Sequence, residues 1–203
     1  MATKRPRRTP RDRWADWAVI GTVALALLLG WGVKALAGSG YTTYTDAATG
    51  LTVRYPERWL LLQDENLLFQ AIDPDSGEYK TTYQVALWPA AAGEPITATL
   101  SQVLNNASMA RAQQNTAYRL FDLMEGDLLD GLPTMEATYV FVDESDDLFT
   151  QHMPVVVLGM DIALERDGQV YVFTLLAAED NFAAAEKPFR RFVKTATYGG
   201  GER

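Results

Sequence analysis

From Leu51 onward, hydrophobic and polar positions change in short runs whose periods mark the elements. Leu51, Val53 and Tyr55 alternate with Thr52 and Arg54, the period of a strand with one buried face, and Pro56 ends it. The apolar run Trp59-Leu60-Leu61-Leu62 begins a second strand after a tight turn, and Leu67 to Ile72 reads as a third, closed by the turn chemistry of DPDSG. Thr81 to Trp88 is a fourth, stopped by Pro89. The period then changes. Ile96, Leu100, Val103, Leu104 and Ala107 recur at helical spacing, with Pro95 suited to a first turn, so the pattern predicts a helix over Pro95 to Gln114 with its apolar face on a sheet. Strands return at Tyr118 to Glu125 and Met135 to Val142, either side of a turn around Asp130-Gly131-Leu132-Pro133.

The clearest element follows. Pro154 to Arg166 and Gln169 to Ala177 are joined by Asp167-Gly168, a two-residue hairpin signal for a type I′ turn. That register places Met160, Ile162 and Leu164 opposite Leu175, Phe173 and Tyr171, one apolar face that a one-residue slip would destroy. The opposite face, with Asp161 and Glu165, reads as the more polar one. In the last segment Phe182, Ala185, Phe189, Phe192, Val193 and Ala196 share a helical face. Asp180 is placed to cap that helix, Arg190, Arg191 and Lys194 complement its C-terminal dipole, and Pro188 is expected to kink or split it. Strands, helix, strands and helix describe an α+β domain, an antiparallel β-sheet flanked by helices.

One stretch matches none of these periods. Trp17 to Val33 carries no charge, and Trp14, Ala15 and Ala35 to Ala37 extend it towards the roughly 20 apolar residues that span a bilayer. Trp14, Trp17 and Trp31 fall where an interfacial aromatic belt lies, and Lys34 can snorkel to headgroups. The expected organisation is a basic cytoplasmic tail at 1–13, a transmembrane signal anchor at 14–37, a linker at 38–40, an extracytoplasmic domain at 41–198 and a flexible tail at 199–203. The basic tail explains the orientation and also suits contact with anionic lipid. Ala35-Leu36-Ala37 offers a signal-peptidase spacing, which keeps a cleaved, soluble ligand-binding protein as an alternative. Ala18, Thr22, Ala26 and Gly30 recur every four residues, the small-residue spacing of a helix-mediated homodimer.

Charge sharpens the division. The whole chain carries −8, yet residues 1–40 hold seven basic side chains against two acidic ones, leaving −13 on the remainder. A domain that acidic argues against nucleic acid as a partner. The chain has no cysteine, which removes disulfides, thiolate nucleophiles, cysteine-ligated metal and a lipoprotein anchor together.

The opening TGLTVRYPERW resembles the start of PsbP-like domains, in which a glycine and a hydrophobic strand run into a proline and then a tryptophan. Gly50, Tyr55, Pro56 and Trp59 carry the resemblance, and the order of long helix, strand hairpins and terminal aromatic helix extends it over residues 41 to 198. The resemblance implies a fold shared by a photosystem II extrinsic subunit, a Ran-GTPase-binding nuclear protein and bacterial envelope proteins. A membrane anchor sets this chain apart from the photosynthetic member.

Candidate chemistry is sparse. His152 is the single histidine, and no G-x-S-x-G elbow supplies it with a nucleophile. Asp143, Glu144, Asp146 and Asp147 form the densest acidic run, and Asp143, Asp146 and Asp147 are weak candidates for a hard cation, lacking the spaced pattern of an EF-hand. Tyr55 and Trp59 read as core rather than as pocket lining. No cofactor is expected. The expectation is a membrane-held, non-catalytic binding or assembly module, facing lipid and another envelope protein. The alternative is a tethered hydrolase using carboxylates, to be recognised by convergent acidic residues in a deep pocket.

Overall fold

A computed structural model describes residues 17, 19–30, 40–90, 93–127, 129–144 and 153–199. The chain divides into two compact units, Met1–Gly40 and Tyr41–Arg203. In the first, residues 19–30 are helical, and Val19, Ile20, Val23, Leu25, Leu27 and Leu29 are each more than half exposed. Among the described residues no helix is long and apolar enough to cross a membrane.

The second unit runs β1 (Tyr41–Thr45), β2 (Thr52–Pro56), β3 (Leu60–Leu62), β4 (Phe69–Ile72), β5 (Thr82–Pro89), α1 (Ile96–Gln114), β6 (Thr116–Glu125), β7 (Thr134–Asp143), β8 (Val155–Arg166), β9 (Gln169–Ala178) and α2 (Glu179–Lys194). β1 and β2 form a separate hairpin, and the others make a seven-stranded antiparallel sheet ordered β3-β4-β5-β9-β8-β7-β6. Strand β1 was not predicted, because its Tyr-Thr alternation carries little hydrophobic contrast. The β8–β9 turn has the expected geometry, with φ of 53° at Asp167 and 74° at Gly168, both positive as a type I′ turn requires. Its register pairs Met160 with Leu175, Ile162 with Phe173 and Leu164 with Tyr171, as the alternation predicts.

The opposite face of this hairpin corrects the sequence reading. Ala163, Val170 and Val172 are buried there under Leu100, Val103 and Leu104 of α1, and Asp161 is fully buried with them. The sheet is therefore covered on both sides: α1 packs on β6, β7 and β8, and α2 on β8, β9 and β2. Alternation marked Asp161 as a solvent position; an arginine from α1 makes it an interior one.

Three corrections concern the ends. Asp180 does not cap α2: the N-cap is Ala178, which makes no side-chain cap bond, and Glu179 and Asp180 lie inside the first turn, where their charge complements the dipole. The helix continues past Pro188 without splitting, held by Phe189, Phe192 and Val193 in the core. Gly199 is not loose. Its N–H donates to the Gly50 carbonyl at 2.8 Å, beside the reciprocal pair formed by Thr52 and Thr197. Gly50 has φ +69°, and a Cβ on it would stand 2.5 Å from the Gly199 Cα, so this approach requires glycine.

Among the described residues every buried apolar side chain lies between Leu51 and Ala196. The second unit thus contains its own core, enough to fold from Tyr41 onward.

Candidate functional site

The motif strand divides its side chains between core and surface. Val53 and Tyr55 are buried beneath β2, while Arg54 is exposed. Tyr55 meets Phe69 with ring centroids 5.3 Å apart, Phe69 meets Phe192 at 5.6 Å, and Phe192 meets Tyr83 at 5.0 Å. Trp59 joins the chain through Tyr83 at 4.5 Å. The motif aromatics therefore knit β2, β4, β5 and α2 into one core, as their sequence context implied. The Trp59 indole Nε1 is buried and donates to no acceptor among the described residues. Burial first, and the nearby Tyr41 and Asp73 second, push the Tyr83 hydroxyl well above its ordinary pKa.

Beside β2 an open cleft of about 150 Å³ lies against α2. Tyr83 and Phe192 form its apolar floor, and Tyr41, Pro56 and Pro188 its sides. Arg54, Arg191 and Thr195 supply the polar groups. Pro188, Arg191, Phe192 and Thr195 are spaced i, i+3, i+4 and i+7, so a single stripe of α2 faces the cleft. No carboxylate lines it among the described residues.

The two cleft arginines differ from the other described arginines of this unit. Arg58 pairs with Asp73, Arg111 with Asp161, and Arg190 with Glu136 and Glu186. Arg119 and Arg166 lie over the rings of Phe121 and Tyr198. Among the described residues, the side chains of Arg54 and Arg191 make no ion pair, hydrogen bond or ring contact. Arg191 sits in the last turn of α2, where it balances part of the helix dipole; Arg54, at mid-strand, has no such role.

A second polar cluster is closed. Asp161 accepts from both Arg111 nitrogens, from Thr174 Oγ1 at 2.7 Å and from Tyr139 Oη at 3.3 Å. Register explains the convergence: Thr174 is the β9 partner of Asp161, and Tyr139 pairs with Gly159 two positions away. Gly159 is required, because a Cβ there would collide with the Tyr139 ring. The Arg111 guanidinium stacks 4.6 Å from that ring's centroid. Burial alone lowers the Arg111 pKa, and the attraction of Asp161 overrides it, so the net shift is upward. With its carboxylate saturated by four donors, Asp161 has little capacity left for general-base chemistry; the cluster fixes α1 on the sheet.

Of the acidic candidates, Asp143 ends β7 and Glu144 follows it, its carboxylate 3.5 Å from Thr116 Oγ1. Asp146, Asp147 and His152 lie outside the described residues. Among the described residues no group of three or more Asp, Glu or His side chains is placed to hold a metal ion. The sequence reading did not single out Arg54 or Arg191. Arg54 carried a signal, a cation at the solvent-facing position of a motif strand; for Arg191 only the tertiary structure separates a cleft residue from a dipole partner.

No family model and no curated protein sequence matches the chain. Solved structures do. The cyanobacterial PsbP of Synechocystis matches with a TM-score of 0.57 at 14% identity, over 79% of this chain and 93% of its own. A Pseudomonas aeruginosa protein of unknown function described as a putative regulator matches at TM-score 0.49 and 15% identity, over 80% and 100%. LpqN of Mycobacterium tuberculosis, involved in cell envelope biogenesis, matches at 0.47 and 13%, over 78% and 90%. With the sheet order and the two covering helices already established, the match to cyanobacterial PsbP shows that the globular unit has a PsbP-like fold.

Proposed function

We propose that this chain is a single-pass membrane protein whose PsbP-like domain stands outside the cytoplasmic membrane and acts as a non-catalytic binding or assembly module. The observation that carries the reading is the division of the chain into a basic tail, an uncharged apolar stretch and a domain of charge −13. The helical residues 19–30 support it, because they are apolar around their circumference and none of the large side chains named above is covered, a pattern suited to hydrocarbon rather than water. The cleft supports binding over hydrolysis: among the described residues its lining of arginines, threonine and apolar rings has no carboxylate pair to serve as acid and base.

The test is topological. Carbonate-washed membranes from cells producing the full chain should retain it, and protease added to spheroplasts should digest the domain while sparing the N-terminal tail. Recovery of a soluble product whose N-terminus follows Ala37 would overturn the anchored reading in favour of a cleaved protein.

A further inference from the structure

We infer that the cleft between β2 and α2 is a binding site for a small oxyanion, a carboxylate or phosphate, joined to an apolar body. The inference rests on the reading of the domain as a binding module and names the ligand class for it. Its first support is selective. Every other described arginine of this unit is engaged with a carboxylate or a ring, and the two whose side chains have no partner among the described residues line the same cleft. Two cations facing one cleft repel each other until an anion lies between them, and guanidinium matches carboxylate and phosphate geometry in bidentate fashion. On a domain of charge −13, long-range attraction does not gather anions, so affinity has to come from such local contacts.

The floor supplies the second half of the ligand. Tyr83 and Phe192 are almost fully buried, yet each presents a face to the cleft, and Pro56 and Pro188 flank them. A volume of about 150 Å³ matches a cavity of roughly the size that accepts benzene. A small aromatic or branched acid fits, and so does an anionic lipid headgroup with its first carbons. Thr195 adds a hydroxyl at the same rim; it donates to the Phe192 carbonyl at 3.1 Å, which leaves its lone pairs and not its proton free, so the arginines provide the selection for negative charge.

The experiment uses the full chain in phosphatidylcholine nanodiscs, with ¹⁹F NMR of 4-fluorobenzoate as the anionic probe and fluorobenzene as its neutral counterpart. Fluorobenzoate should bind at least tenfold more tightly than fluorobenzene. Arg54→Gln and Arg191→Gln should each weaken it about tenfold, while Arg119→Gln, outside the cleft, leaves it unchanged. Two competition arms identify the natural source. Displacement of the probe when phosphatidylglycerol enters the nanodisc indicates a lipid headgroup; displacement by inorganic phosphate without any effect of phosphatidylglycerol indicates a free small anion. Equal binding of the two probes, unchanged affinity in the double variant Arg54→Gln/Arg191→Gln, or no binding by protein with a native near-UV circular dichroism spectrum would each overturn the inference. None of these results would move the topology assay, so the anchored reading stands or falls separately.

Discussion

Removing Arg111 tests whether the buried cluster under α1 is what holds that helix in place. In Arg111→Met the Asp161 carboxylate, 1% exposed, keeps its bonds from Thr174 and Tyr139 and loses its counter-charge. Breaking a buried pair by removing one partner costs about 3–5 kcal/mol, a large part of the roughly 5–15 kcal/mol that stabilises a domain. Asp161→Asn should cost less, about 2 kcal/mol, because the Asn oxygen still accepts from both hydroxyls, and the Arg111 side chain, 21% exposed, can reach water. The double variant removes both charges and should be more stable than Arg111→Met alone, giving a coupling energy of about 1.5–3 kcal/mol. Urea unfolding of residues 41–203, with m-values checked for constancy, measures all corners of the cycle. A loss below about 1 kcal/mol in Arg111→Met, or strict additivity in the double variant, would refute the argument that the pair acts as a buried unit.

Gly159→Ala should destabilise the domain by about 3 kcal/mol, since its methyl enters the Tyr139 ring and overpacking at a rigid site is costly; Tyr139→Leu in the same chain should recover part of the loss in the same urea assay. Burial raises the pKa of Tyr83, Tyr139 and Tyr198 above the ordinary phenol value. Their contribution to stability is therefore complete below about pH 10 and lost as pH rises towards the folded values. Absorbance at 295 nm should show these tyrosines ionising together with alkaline unfolding rather than before it; their independent titration near pH 10 in folded protein would contradict the burial assignment. Leucine at Ala26 and Gly30 should reduce in-membrane association of the apolar stretch measured by a reporter fusion, and an unchanged signal would sink the small-residue dimer.

The sequence by itself determined the elements whose period is strong and whose turn chemistry is specific. The β8–β9 hairpin was legible because Asp167-Gly168 admits few turn geometries and the alternation tolerates no slip. The α1 boundaries, the β2 motif and its aromatic core could be read for the same reason: each position's burial follows from its local pattern. What is not local in origin was decided by tertiary structure. Asp161 looks like a solvent-facing residue until Arg111, fifty positions away in the chain, is brought over it by α1. β1 and Gly199 take their backbone partners from β2 and Gly50. The cleft is the plainest case. Arg54 and Arg191 are individually unremarkable surface cations, and they come to line one cleft only because the hydrophobic face of α2 covers the sheet beside β2, which brings the adjoining stripe of the same helix to Arg54. Burial periodicity records which face of an element meets the core; it holds no record of which exposed side chains that packing brings together.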